Sequence, residues 1–216
     1  MPANLAAQLR AWFGDSAGVS AAKIRGELPL YPEEERLIAN AIPKRRAEFS
    51  TGRCCAREAL KQVGFAPVAI GMGPLRGPLW PAGAVGSISH SAGLCVAVAG
   101  SSAIFQGLGV DLLDIREAGP TVAAAQTILA HPAETVPAGP LAIDPRILRF
   151  SAKESVIKAA SGELGRWLEF SEIAVSLGQE SFSAVVPGLP AQVHGWWDVQ
   201  EGILLTAAKF LADEVS

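Results

Sequence analysis

Apolar residues recur at helical spacing through EEERLIANAIPKRRAEFSTGRCCAREALKQV, residues 33–63. Pro43 interrupts the run and Gly64 follows it, so the pattern predicts a helix broken near 43 and stopped at 64. A loop rich in glycine and proline, GMGPLRGPLWPAG, spans 71–83. Two short alternating runs, VGSISHS and GLCVAVAG, then predict a hairpin turning at Ala92-Gly93. IFQGLGVDLLDI reads as a third strand. Residues 120–131 return to helical spacing, and a loop rich in proline and alanine leads away from them. A stronger helix opens at Asp144-Pro145, with an acid at the cap and proline in the first turn. It runs through RILRFSAKESVIKAAS and stops at Gly162. The tail alternates again in EIAVSLGQ, SFSAVVPG, AQVHGWWDVQ and GILLTAAKF, which predicts antiparallel strands.

The order is helix then strands, twice over, without βαβα alternation. It predicts an α+β fold rather than a doubly wound sheet. The two halves, residues 1–107 and 108–216, meet near Phe105–Asp111.

Composition narrows the class. Of 216 residues, 50% are hydrophobic and 18% charged, which suits a globular chain with ample core and not a disordered one. The net charge of -3 gives the chain as a whole no nucleic-acid character, so any polyanion site must come from local clustering. Cys54, Cys55 and Cys95 are odd in number and show no C-x-x-C spacing, the pattern of ordinary buried thiols in a reduced, cytoplasmic protein. The first residues lack the basic start and long apolar run of a signal peptide. No stretch of roughly 18 apolar residues predicts a membrane span.

Within this frame four stretches could carry chemistry. Asp111 lies inside a strand, where aspartate is depleted and an unpaired buried carboxylate is costly. Alternation places Asp111 and Leu113 on one face, with Leu112 and Asp114 on the other. Asp111 could still be a strand-end residue capping a turn. On the second helix Glu154 and Lys158 lie about 40° apart. They read either as a surface pair or, with Ile147, Phe150 and Ile157 flanking them, as a partly buried acid that needs a cation. Mg²⁺ takes one or two carboxylates together with phosphate oxygens and waters, so Asp111 and Glu154 could share one. Third, Ser87, Ser89, His90 and Ser91 crowd one strand edge. Gly86-Ser87-Ile88-Ser89-His90 fails the G-x-S-x-G pattern of a hydrolase nucleophile. Hydroxyls and an imidazole there suit an anion, or a structural histidine. Last, Arg46, Arg53 and Arg57 recur at i, i+7 and i+11, extended by Lys44 and Arg45. That stripe is a solvated basic face or a phosphate clamp.

Taken in order, KRRAEFSTGR, PLWPAGAVGSISHS, GVDLLD, FSAKESVIKA and RWLEF resemble the 4′-phosphopantetheinyl transferases of the Sfp/EntD type, most closely the EntD-like branch, over most of residues 40–175. The resemblance implies a monomer of two similar α+β halves related by a pseudo-twofold, each with a small antiparallel sheet and a long helix, and a cofactor cleft between them. It implies an enzyme that moves the phosphopantetheine arm of coenzyme A onto a serine of an apo carrier protein and releases 3′,5′-ADP. The carriers would be acyl, peptidyl or aryl carrier domains of fatty-acid, polyketide, siderophore or nonribosomal-peptide synthesis. It assigns Mg²⁺, with Mn²⁺ as the substitute, to Asp111 and Glu154. Glu154 is also the candidate base, and Lys158 the contact to the phosphates. Ser89, His90, Arg53, Arg46, Lys153 and, in the glycine-rich loop, Arg76 would hold coenzyme A. Many members carry a further acid two residues after the aspartate; here that position is Leu113. That departure supports a competing reading, a coenzyme A-binding protein of the same fold without transfer activity. Asp114 is then a turn or surface residue. Carrier docking would use an apolar surface near the cleft, while Trp167, Phe170, Trp196, Trp197 and Phe210 are expected in the core.

Overall fold

The structure, a computed structural model, describes residues 2–211, the side chains of 126–129 excepted. It opens with two elements the hydrophobic pattern did not predict, α1 (Pro2–Phe13) and β1 (Ala17–Lys23). The predicted 33–63 segment is two helices, α2 (Pro32–Leu37) and α3 (Pro43–Gln62). Pro43 fills the first turn of α3, where a missing N–H costs nothing, and Gly64 follows in the left-handed region at φ 85°. The glycine-rich loop carries a minimal hairpin, β2 (Gly71–Met72) and β3 (Pro78–Leu79). β4 (Ala84–Ser91) and β5 (Leu94–Ser101) turn at Ala92-Gly93, both at positive φ, the geometry that suits a two-residue hairpin.

β6 (Phe105–Asp114) and α4 (Ala118–Leu129) come next. Helix α5 (Pro145–Leu164) follows, and its N-cap Asp144 accepts a hydrogen bond from the Arg146 N–H. It continues through the expected stop at Gly162 and ends at Gly165, the residue that takes the left-handed conformation. The tail supplies β7 (Ala174–Leu177), β8 (Ser181–Val185), β9 (Val193–Gln200) and β10 (Ile203–Leu211).

The fold is α+β, and every ladder between these strands is antiparallel. One sheet runs β1-β5-β4 and another β6-β10-β9-β8-β7. The last strand in sequence, β10, is therefore the direct neighbour of β6. Helix α3 covers the first sheet around Ala56, Ala59 and Leu60, and α5 covers the second around Leu148, Val156 and Ala160. A shared core lies between the halves: Leu5, Leu9 and Phe13 of α1 pack with Val96, Leu108, Val110, Leu112 and Leu205. Both long helices press onto glycines. A Cβ at Gly18 would lie 1.9 Å from the Ala59 carbonyl oxygen, and one at Gly107 2.0 Å from that of Ala159.

The two sheets meet without a ladder. Ser87, Ser89 and Ser91 of β4 instead accept hydrogen bonds from the backbone N–H groups of Val110, Leu112 and Asp114, at 3.1, 3.0 and 3.2 Å. The alternating serines of SISHS thus satisfy an edge of β6 that would otherwise be buried and unpaired. Among the described residues no helix is long and apolar enough to cross a membrane. The three described cysteines are free; Cys55 and Cys95 are buried, but Cys54, expected to be buried, is exposed.

Candidate functional site

Asp111 stands on the face of β6 that meets α5. The register of β6 against β10 is unbroken from Asp114 to Gly107, so no bulge rotates Asp114 onto that face. Gly107 and Gly109, on the same face, let α5 lie close enough for its side chains to reach the aspartate. Ser151 Oγ donates to Asp111 Oδ2 at 2.8 Å. Lys158 Nζ donates to Oδ1 at 2.7 Å, and Ser89 Oγ donates to the same oxygen at 3.1 Å. Lys158 also reaches the Val110 carbonyl at 3.1 Å and Ser89 Oγ at 3.3 Å. Asp111 is buried, with 7% of its surface exposed, so its charge depends on these partners.

Glu154 lies one turn before Lys158, yet Lys158 is bonded to Asp111 instead. Among the described residues the Glu154 carboxylate makes no hydrogen bond or ion pair. Burial raises its pKa; the Lys158 charge opposes that rise and the Asp111 charge adds to it. The Asp111 charge thus bears on Glu154 across the β6–α5 contact. Leu113, two residues beyond Asp111, packs against the small apolar cluster of Ala118, Val122 and Ala125. The described residues contain no cluster of three acids, histidines or cysteines suited to a metal.

His90 follows Ser89 at the end of β4. Arg45 Nη1 lies 3.0 Å from His90 Nε2, which places the acceptor lone pair on that nitrogen and the ring proton on Nδ1. Burial pushes the His90 pKa down, consistent with a neutral ring. The Arg45 guanidinium is half exposed and also lies 3.6 Å from Glu48.

The other basic residues take different places. Arg46 grips Glu27 through Nε and donates from Nη1 to the Ile38 carbonyl at 2.9 Å. Arg53 is buried, lies 4.3 Å above the Phe49 ring, and donates to the carbonyls of Ile70 and Gly71 at 2.7 and 3.0 Å. Burial lowers its pKa to about 10. Arg57 pairs with the fully buried Glu34 at 2.7 Å. Arg76 is exposed at a turn with φ 62°. Lys153, the residue before Glu154, is fully buried on another side of α5, 2.6 Å from Glu134 and 2.8 Å from the Phe170 carbonyl. The structure thus gathers Asp111, Glu154, Lys158, Ser89 and His90. Arg46, Arg53 and Lys153 are directed at protein carbonyls and carboxylates, and no contact ties Arg76 to the cluster.

Residues 33–100 match the family model of the 4′-phosphopantetheinyl transferase N-terminal domain, and residues 107–207 that of the 4′-phosphopantetheinyl transferase superfamily. The chain is 32% identical to 4′-phosphopantetheinyl transferase Npt of Nocardia iowensis, over 90% of this chain and 96% of that protein. It is 35% identical to 4′-phosphopantetheinyl transferase PptT of Mycobacterium tuberculosis, over 84% and 86%. Enterobactin synthase component D of Salmonella typhimurium is 40% identical over 60% of this chain and 54% of its own. The chain belongs to the 4′-phosphopantetheinyl transferase superfamily.

For this family member the structure adds residues that sequence reasoning missed. Arg45, not its neighbour Arg46, stands beside His90. The periodic spacing marked a basic face but not which arginine reaches across to β4. Glu34 is a hub beneath α3, accepting from Arg57, from the Ile70 N–H at 2.8 Å and from the Tyr31 N–H at 3.1 Å. The sequence offered only one of three consecutive acids in the first turn of a short helix, Glu33–Glu35, with nothing to mark the one that is buried. Asp114 fulfils the turn expectation, accepting from the Arg116 N–H at 3.0 Å and from its guanidinium. It is however buried, not at the surface. Trp167, expected in the core, is 56% exposed.

Proposed function

We propose that the chain transfers the 4′-phosphopantetheine arm of coenzyme A to a serine hydroxyl of an apo carrier protein, releases 3′,5′-ADP, and uses Mg²⁺, or Mn²⁺ in its place, held by Asp111 and Glu154. The observation that carries this reading is the convergence of those two carboxylates with Lys158, Ser89 and His90 on the seam between the halves.

The residues fit a divalent cation. Both are hard oxygen ligands, and one or two carboxylates completed by phosphate oxygens and waters suit Mg²⁺. Glu154 is a half-buried acid without a hydrogen-bond donor among the described residues, and Oδ2 of Asp111 keeps one acceptor position beside Ser151. Leu113 offers no ligand, so water would complete the set. Bound there, the ion would neutralise the pyrophosphate and stabilise the leaving phosphate.

The chain's own groups perform the rest. Lys158 supplies an ammonium at the seam, anchored on Asp111, where charge on the departing 3′,5′-ADP develops. The half-exposed Arg45 and the Nδ1–H of His90 offer donors for the phosphates of coenzyme A, with Arg53 and Arg46 bracing the helix and loop beneath them. Glu154, with its raised pKa, accepts the proton of the carrier serine at its carboxylate. The serine oxygen bonds to phosphorus as the bond to 3′,5′-ADP breaks.

The test is direct. Mix the chain with apo carrier domains from fatty-acid, polyketide and nonribosomal-peptide systems, coenzyme A and Mg²⁺, and measure the intact carrier mass. A phosphopantetheine adduct is expected, lost with EDTA. Retained coenzyme A binding with no adduct on any carrier would establish the binding-protein reading instead.

A further inference from the structure

In the stretch ILLTAAKF a threonine interrupts the buried apolar run. Thr206 is fully buried, and a buried hydroxyl is costly unless bonded. In the register of β10 against β6 it stands directly opposite Asp111. Among the described residues no hydrogen bond joins it to Asp111. Its Oγ1 lies 3.0 Å from Ser151 Oγ and donates to the Ser151 carbonyl at 2.9 Å. Ser151 is also fully buried.

Proton bookkeeping fixes the direction of the chain. A carboxylate only accepts, so the single Ser151 hydroxyl proton goes to Asp111 Oδ2. The contact between Ser151 Oγ and Thr206 must then be donated by Thr206. Its one proton is shared among three acceptors: the hydroxyl and the carbonyl of Ser151 and, more distantly, Ser155 Oγ. Ser155 closes the far side: it donates to the Ala152 carbonyl at 2.9 Å, so its oxygen accepts from Thr206 at 3.2 Å. Each hydroxyl is therefore ordered by the next, in a dry site where such bonds polarise one another.

We propose that Thr206 and Ser151 are positioning residues: a two-hydroxyl relay that orients the Asp111 carboxylate and sets its affinity for the divalent cation. Without it Oδ2 keeps no donor of its own and the carboxylate turns toward Lys158, which already holds Oδ1. Groups that hydrogen-bond a metal ligand from behind commonly change affinity by about 10- to 100-fold when removed. The inference rests on the metal role of Asp111 proposed above.

The experiment measures cation binding itself. Mn²⁺ is titrated into the protein with coenzyme A present and free Mn²⁺ is read by electron paramagnetic resonance, alongside thermal melting in EDTA. Thr206→Val keeps the shape and removes the hydroxyl; Thr206→Ser restores it; Ser151→Ala breaks the relay at its other end. Thr206→Val and Ser151→Ala are expected to weaken Mn²⁺ about tenfold or more. Thr206→Ser is expected to bind within about twofold of the parent, a difference of less than ~0.5 kcal/mol. A Thr206→Val or Ser151→Ala protein that melts lower but binds Mn²⁺ like the parent shows only a structural clamp and overturns the relay. Asp111→Asn separates the two claims. If it binds Mn²⁺ like the parent, the metal assignment falls, and the relay with it. If it alone loses Mn²⁺, the metal stands and the relay falls.

Discussion

Gly109 lies beneath the carbonyl of Ser155: a Cβ on the glycine would sit 1.8 Å from that oxygen and 3.0 Å from the Ala159 nitrogen. Neither atom is the end of a flexible side chain, so Gly109→Ala must push α5 off β6. Glu154 precedes Ser155 on that helix and would move with it. We expect a loss of about 3 kcal/mol in urea unfolding and a loss of transfer. Gly119→Ala in α4, where the new methyl meets nothing within 4 Å, is the control and should be neutral or stabilising by about 0.5 kcal/mol. Equal stability of the two variants would mean that the α5–β6 approach is not as tight as described.

Glu154→Gln separates charge from shape. Burial raises the Glu154 pKa, so the ionised form is held at a cost in the absence of a cation. A raised carboxyl contributes its full stability below the ordinary glutamate value of about 4.3 and loses it as pH rises through the folded value. The amide has no such loss. In EDTA at neutral pH Glu154→Gln should melt about 2 °C or more above the parent, with a flatter dependence on pH, while transfer falls at least about 100-fold. A lower melting temperature would place a favourable partner on the carboxylate.

His90 provides a pH dependence of the opposite sense. Its pKa is lowered, first by burial and then by Arg45 and Lys158, against the pull of Glu48 and Asp111. The unfolded chain takes up a proton near the ordinary value of about 6.5, the folded chain only below it. Stability from His90 is therefore complete above that value and is lost as pH falls through the folded one. Melting of the parent should drop more than that of His90→Gln between pH 7 and 5. In a titration followed by nuclear magnetic resonance the His90 ring should have a midpoint below that of free histidine.

Local chemistry made much of the fold legible. The Asp144-Pro145 start of α5, the Ala92-Gly93 turn and the alternation of β7 to β10 each follow from side chains close in sequence. β1 escaped notice because AGVSAAK has small residues and no alternation; its pairing partner, β5, lies some seventy residues later, from Ala17↔Gly100 to Lys23↔Leu94. At the site, alternation separated Asp111 from Asp114, and helical spacing put Glu154 near Lys158. Neither rule shows what lies across a helix from a given side chain. Lys153 was adjacent to Glu154 in sequence, but its partner Glu134 comes from the loop after α4. The same limit hid Thr206, whose importance appears only once β10 is seen beside β6.

The position of β10 bears on how the molecule is made. It is the latest of the described strands in sequence, yet it lies between β6 and β9, and it places Thr206 against Asp111. A chain emerging from the ribosome can complete the first sheet and α3 early. The face that carries Asp111 stays open on one side until residues 203–211 have been synthesised. The proposed site around Asp111 is therefore incomplete until residues 203–211 have paired with β6.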